Sequence, residues 1–139
     1  MEVDTVSKKK AREKTIARLY ELLELQEKVK KRFGIDGYNV FVFGSYVTIH
    51  YVEGQSDIDI AIYTEDFDLY KRISMYLEEY FAEKGIESDI FYIDLRREAP
   101  VYCAPLKSEL QFTDYYPKKL VEFRENCQHK LEEIKMGYQ

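Results

Sequence analysis

The pattern of apolar and polar residues predicts three long helices and three strands in the order α-β-β-α-β-α. Residues 8–33 contain no glycine or proline, and their apolar positions recur at helical spacing, which predicts a long amphipathic helix. Gly34 follows as its C-cap, and residues 1–7 read as a loose start. The stripe expected to face the core comprises Ile16, Leu19, Tyr20 and Leu23, widened by Leu22, Leu25, Val29 and Phe33.

Two β-rich runs follow this helix, at residues 38–43 and 58–64. The dipeptide Gly44-Ser45 closes the first run, and the character of the stretch after it is left open. In the second run three isoleucines alternate with Asp57, Asp59 and Ala61. Because side chains on a strand alternate between faces, the isoleucines share one face and the two aspartates lie together on the other.

The second half of the chain repeats the two kinds of pattern. We expect a helix over residues 66–84, a strand over 86–95 that carries Asp89, a short edge strand near 110–113, and a last helix over 117–136. This order predicts an α+β (α/β-like) fold, in which a small mixed β-sheet is flanked by α-helices, with long helices at the N- and C-terminal ends.

Composition narrows the class of protein. A length of 139 residues with 45% hydrophobic content predicts a single domain over residues 1–139 with a core of its own. The net charge of −5 provides no overall attraction to nucleic acid, so any basic binding face must be local. No apolar run approaches the ~20 residues that span a bilayer, and the N-terminus is polar and basic, so we expect a soluble, cytoplasmic protein without membrane contact.

The two cysteines, Cys103 and Cys127, are expected to be reduced thiols. They form no Cys-x-x-Cys motif and no cluster with histidine, which argues against a zinc site. Disulfides are rare in the reducing compartment that we expect for this chain.

The carboxylates Asp57 and Asp59 form the strongest candidate site. Two residues apart on a strand, they lie roughly 6.6–6.8 Å apart along the chain and repel each other unless a cation lies between them. Magnesium suits such a site, because it takes a few carboxylates together with substrate phosphates. Asp89 on the next strand is the expected third carboxylate, with Asp94 as the alternative. An Asp-x-Asp pair is also typical of a solvated face or a turn.

The turn at Gly44-Ser45 provides the other half of the candidate site. Glycine lets a phosphate approach the main chain, successive N–H groups form an anion-binding concavity, and the hydroxyl of Ser45 adds a further donor. His50, a few residues on, either contacts a phosphate or a base or is an ordinary solvated loop histidine.

These residues resemble the defining motif of the DNA polymerase β-like nucleotidyltransferase superfamily, and the small size resembles its minimal single-domain members. The resemblance covers about residues 38–95 and rests on Gly44-Ser45 followed by Gly54-Gln55-Ser56-Asp57-Ile58-Asp59. It implies a nucleotidyltransferase fold and transfer of a nucleoside monophosphate from an NTP, ATP included, to a hydroxyl, with release of pyrophosphate.

The resemblance also implies roles for the site residues. Two magnesium ions would be held by Asp57, Asp59 and Asp89, and Asp89 would help to deprotonate the attacking hydroxyl. Gly44 and Ser45 would hold the phosphates of the NTP. Many minimal members follow Gly-Ser with an aromatic residue or arginine and then with Ala-Arg-Gly. Residues 46–50 of this chain contain no Arg-Gly, so a basic phosphate contact is missing there.

Partners follow from the same resemblance. The resemblance implies an acceptor that would be a protein, an RNA or a small molecule. Small stand-alone members of the family often pair with a separate helical protein in toxin–antitoxin systems. A homodimer is a further alternative. The other function we consider is a regulatory or antitoxin-type module on the same fold, which binds a partner and catalyses little or nothing.

Overall fold

A computed structural model of the chain describes the backbone of residues 2–97 and 100–137, and the side chains of residues 5–97 and 101–130. The helices and strands are α1 (Glu2–Phe33), β1 (Tyr38–Phe43), β2 (Ile58–Thr64), α2 (Phe67–Glu83), β3 (Ser88–Tyr92), α3 (Pro100–Cys103) and α4 (Lys118–Gly137). Two 3₁₀ turns lie at Gly44–Val47 and Pro105–Lys107. The predicted α+β class is confirmed, with the short α3 as an addition.

The sheet is mixed and has the strand order β1-β2-β3. β1 and β2 are antiparallel, and their register places Phe43 opposite Asp59. β2 and β3 are parallel, because α2 carries the chain back to the starting edge, and their register places Asp59 opposite Asp89. The Asp66 side chain caps α2 by accepting hydrogen bonds from two main-chain N–H groups, at 3.0 and 3.2 Å. Asp59 therefore lies on the central strand, between Phe43 of β1 and Asp89 of β3.

Two predicted strands are shorter in the structure. The edge strand expected at 110–113 is a single antiparallel bridge from Phe41 to Gln111, flanked by hydrogen bonds between the two main chains. β3 ends at Tyr92 because Asp94 accepts a hydrogen bond from the Arg96 N–H and turns the chain. The 110–112 segment still covers the free edge of β1, which removes an exposed strand edge.

Both faces of the sheet are covered. The isoleucines of β2 pack on one face against α2 and against Leu22, Leu25 and Val29 of α1. On the other face, Ala61 lies in a second apolar cluster together with Leu120 of α4. The predicted division of β2 into an isoleucine face and an aspartate face is consistent with this packing. The second cluster does not include Asp59, so the polar site occupies that end of the face.

The buried stripe predicted for α1 was built on four residues, and the prediction was wrong for three of them. Ile16, Tyr20 and Leu23 are 53%, 66% and 48% exposed. The buried row instead begins with the polar Thr15 and Arg18 and continues through the leucines and valine described above. The polar pair is buried because it is hydrogen bonded to the loop after β1. The helix also begins at Glu2, not at residue 8.

The prediction of two reduced thiols was also wrong, because Cys103 and Cys127 form a disulfide. α3 and α4 meet on the second face of the sheet and bring the two Cα atoms to 5.6 Å, within the range that a disulfide spans. The bond ties the segment after β3 to the last helix. Among the described helices, none is long and apolar enough to cross a membrane.

Candidate active site

Asp59 is the centre of the candidate site. It lies in β2 between Phe43 on one side and Asp89 on the other, as their register requires. Its side chain is half-buried, whereas those of Asp57 and Asp89 are exposed. The structure thus brings Asp59 and Asp89 together on neighbouring strands, and places Asp57 just before β2 in the same chain.

The three carboxylates interact electrostatically. Burial raises the pKa of Asp59 above its ordinary value, and the negative charges of Asp89 and Asp57 raise this pKa further. Within the described part of the chain, no lysine or arginine forms an ion pair with any of the three. The site therefore concentrates negative charge without a protein cation to balance it.

This donor set suits a divalent cation. Carboxylate oxygens are the ligands that magnesium prefers, and a cation would relieve the repulsion that adds to the effect of burial on the pKa of Asp59. As the side chains stand, the described residues contain no group of three or more His, Cys, Asp and Glu arranged closely enough to hold a metal. Asp59 and Asp89 are register partners on parallel strands, so their side chains leave the sheet on the same face.

The turn after β1 lies directly against Asp59. Gly44 has a φ of +77°, a conformation that side chains other than glycine rarely adopt. A Cβ placed on Gly44 would overlap Oδ2 of Asp59 and lie 3.2 Å from its Cγ. Ser45 follows in the 3₁₀ turn, and its carbonyl accepts hydrogen bonds from the Thr48 N–H and hydroxyl, both at 2.9 Å. The expected phosphate turn and the expected metal carboxylate are thus immediate neighbours.

Arg18 holds this turn in place, and the sequence did not reveal it. Its guanidinium donates to the Tyr46 carbonyl at 2.9 Å and to the Thr48 carbonyl at 2.8 Å. It also lies over the Tyr51 ring, 4.6 Å from the centroid. The available signal was a lone arginine four residues before Leu22, in phase with the helix face that the structure buries.

Asp94, the alternative third carboxylate, is engaged elsewhere. Its two oxygens accept hydrogen bonds from the Arg96 guanidinium at 3.0 and 3.1 Å. The Arg96 side chain holds the pKa of Asp94 below its ordinary range. Asp94 lies beyond the end of β3, whereas Asp89 lies within it, so the geometry favours Asp89 as the partner of Asp59. His50 is exposed, and its main-chain N–H donates to the Thr48 hydroxyl at 3.1 Å.

The sequence of this α+β domain, with its paired aspartates beside a glycine turn, matches a known protein family. Residues 22–132 match the model of the nucleotidyltransferase domain family. Because this match covers most of the chain, the protein belongs to the nucleotidyltransferase domain family, and the resemblance seen in the motif is confirmed.

Comparison with individual proteins adds less. No curated protein matches the chain. Among solved structures, a mutant of the toxin–antitoxin complex MntA–HpeT is similar, at 19% sequence identity and a TM-score of 0.46. The similarity covers 81% of this chain and 90% of that one.

Proposed function

We propose that this protein is a magnesium-dependent nucleotidyltransferase that moves a nucleoside monophosphate from an NTP to a hydroxyl of a protein, RNA or small-molecule acceptor. Family membership supports nucleotidyl transfer as the class of reaction. The single observation that supports catalysis at this site is the placement of Asp59, which pairs with Asp89 across the sheet and touches Gly44.

The carboxylates are assigned to the metal and the proton. Asp57, Asp59 and Asp89 would hold two magnesium ions, which when bound would neutralise charge on the reacting phosphoryl group. Asp89 is exposed, so it would be accessible to accept the proton of an acceptor hydroxyl. The pKa of Asp59 is raised first by burial and then by the negative charges of Asp89 and Asp57, and a cation would offset these charges.

Gly44 and Ser45 are assigned to the phosphates of the donor. The hydroxyl oxygen of the acceptor attacks the α-phosphorus and forms the new O–P bond. The bond from the α-phosphorus to the bridging oxygen of the β-phosphate breaks, and pyrophosphate leaves with that electron pair. Arg18 fixes the carbonyls of the turn, so Ser45 and the Gly44 main chain meet the donor in one arrangement.

The test is transfer of label from the α-phosphate of each NTP. The protein is incubated with magnesium and one candidate acceptor at a time. The candidates are the protein's own side chains, total RNA and a small-molecule extract. We expect magnesium-dependent label in one acceptor fraction, and none with the Asp57→Ala/Asp59→Ala variant. Label on the γ-phosphate should appear in pyrophosphate and not in the acceptor. Transfer that persists in the double variant would refute the assignment of the site.

The alternative is a partner-binding regulatory or antitoxin-type module, and the same experiment separates it from the enzyme. If the protein binds magnesium and NTP but labels no acceptor fraction, the regulatory function is favoured. The exposed Ile16, Tyr20 and Leu23 on α1 are the observation that keeps this alternative open, since grouped exposed apolar side chains often mark contact surfaces.

A further inference from the structure

A cleft of about 960 Å³ opens beside the Gly44–Ser45 turn, between α1 and the segment that covers the edge of β1. Its walls combine apolar side chains, including Leu19 and Leu23, with the turn itself and with Lys107. Clefts of roughly 300–1,000 Å³ with a few polar groups are typical of small-ligand sites. The position of the turn at its border connects this cleft to the candidate active site.

Most other cations near the turn are already engaged. The Arg18 guanidinium is hydrogen bonded to the carbonyls of the loop. Lys14 lies 3.9 Å from Glu53, and Lys84 lies 3.4 Å from Glu21. None of these three lines the cleft at Gly44.

Lys107 differs from them. It is exposed in the cleft and forms no ion pair with any residue whose side chain the structure describes. Glu109 lines the same cleft and does not pair with it. His50, the other basic side chain there, lies at the exposed end of the loop. Among the side chains that the structure describes, Lys107 is thus an exposed lysine in the cleft without an ion pair.

The main chain of Lys107 is fixed relative to the strand that leads into the turn. Its N–H donates to the Ala104 carbonyl at 3.3 Å. The next residue, Ser108, donates its hydroxyl to the Val42 carbonyl, two residues before Gly44. The disulfide at Cys103 anchors the start of the same segment. Because the main chain of this segment is already fixed, binding of a phosphate would have to order only the Lys107 side chain and not the segment itself.

We propose that Lys107 binds the terminal phosphates of the donor NTP in this cleft. It thereby supplies the cationic contact that residues 46–50 lack. The inference rests on the proposed function and makes the cleft a polyphosphate site, from which pyrophosphate would leave. Lysine suits this role because its ammonium is a compact charge that binds phosphate oxygens without requiring a fixed plane.

The test compares affinities for ATP and AMP, with magnesium, by calorimetry. We expect Lys107→Ala to weaken ATP binding roughly tenfold, as loss of a hydrogen bond to a charged group implies, and to change AMP binding by less than about twofold. Lys107→Arg should retain most of the ATP affinity. Lys31→Ala removes an exposed lysine near the C-terminal end of α1. This variant should bind both nucleotides like the parent protein.

The outcomes separate this inference from the proposed function. Equal ATP affinity in the parent and Lys107→Ala, or equal losses for ATP and AMP, would overturn the proposed role of Lys107. Neither result would bear on the proposed transferase function. Inorganic tripolyphosphate, titrated in EDTA, provides a probe that needs neither magnesium nor the aspartates. If its binding depends on Lys107 while no α-phosphate label is transferred, the polyphosphate site stands and the transferase assignment falls.

Discussion

Gly44 lies so close to Asp59 that a side chain at position 44 would overlap the carboxylate. The turn expected to hold phosphate and the carboxylate expected to hold metal therefore cannot move independently. Gly44→Ala would both strain the backbone at a φ of +77° and displace Asp59. We expect it to weaken magnesium–NTP binding roughly tenfold or more, equivalent to about 1.4 kcal/mol, as measured by calorimetry.

The matched control is Gly54→Ala in the same loop region. Gly54 has a φ of +78°, but a Cβ there would have no neighbour within 4 Å. It should cost about 1 kcal/mol of stability through backbone strain and leave the NTP affinity unchanged. If the two variants lose the same NTP affinity, the contact between Gly44 and Asp59 is irrelevant to binding.

Arg18→Ala should destabilise the fold and loosen the turn. It removes two hydrogen bonds from a buried cation to the Tyr46 and Thr48 carbonyls, so we expect a loss of about 2–3 kcal/mol in the free energy of unfolding. Urea titration measures this loss, and NTP affinity is then measured well below the unfolding transition. Affinity should still be reduced, because the turn is no longer fixed.

Lys14→Ala is the control for Arg18, since Lys14 lies on the same helix and forms an exposed ion pair with Glu53 of the loop before β2. It should change stability by less than about 1 kcal/mol. An Arg18→Ala protein that is less stable yet binds NTP with parental affinity, at a temperature where it is folded, would show that Arg18 is structural only.

Reduction of the Cys103–Cys127 disulfide should lower stability without abolishing folding. The bond closes a loop across a sequence separation of 24, for which chain entropy predicts a stabilisation of about 3 kcal/mol. Thermal unfolding with and without reductant measures the difference, and Cys103→Ser/Cys127→Ser should resemble the reduced protein. An unfolding temperature indifferent to reductant would contradict the pairing.

Asp59 and Asp94 predict opposite effects of pH on the stability of the fold. The raised pKa of Asp59 means that the folded protein keeps a proton that the unfolded chain releases, so stability falls as pH rises from the ordinary value of 3.8 through the folded pKa. In EDTA, Asp59→Asn should therefore raise the unfolding free energy at pH 7 and have no such effect below pH 3.8.

Asp94 provides the contrast to Asp59. Its pKa is lowered by Arg96, so its contribution to stability is present above the ordinary value and is lost as pH falls through the folded pKa. Asp94→Asn should lower stability at pH 7, the opposite sign to Asp59→Asn. Equal signs for the two variants in chemical denaturation would mean that the electrostatic description of the site is wrong.

Sequence periodicity predicted the strands of the site but not the face of α1. The isoleucines of β2 alternate with Asp57 and Asp59, so a period of two decides which side chains share a face. On α1, apolar residues lie on two adjacent faces, and the buried one is completed by Thr15 and Arg18. Their burial depends on carbonyls more than 25 residues away in the chain, and no local pattern encodes such contacts.

The disulfide and the cleft were missed for a related reason. The pairing of Cys103 with Cys127 and the placement of Lys107 beside Gly44 both follow from how the segment after β3 returns along β1. That path is set by Ser108 and by main-chain hydrogen bonds to the strand edge. The pairing of Asp59 with Asp89, by contrast, needs only a crossover helix of sufficient length, which the sequence displays.

Magnesium-dependent NTP binding by aspartate variants tests the central claim most directly. Calorimetry compares the parent protein with Asp57→Asn/Asp59→Asn, with Asp89→Asn and with the control Asp94→Asn. We predict that the first two variants lose magnesium-dependent binding and that Asp94→Asn retains it. Parental affinity in the Asp57→Asn/Asp59→Asn protein would contradict the proposed metal site.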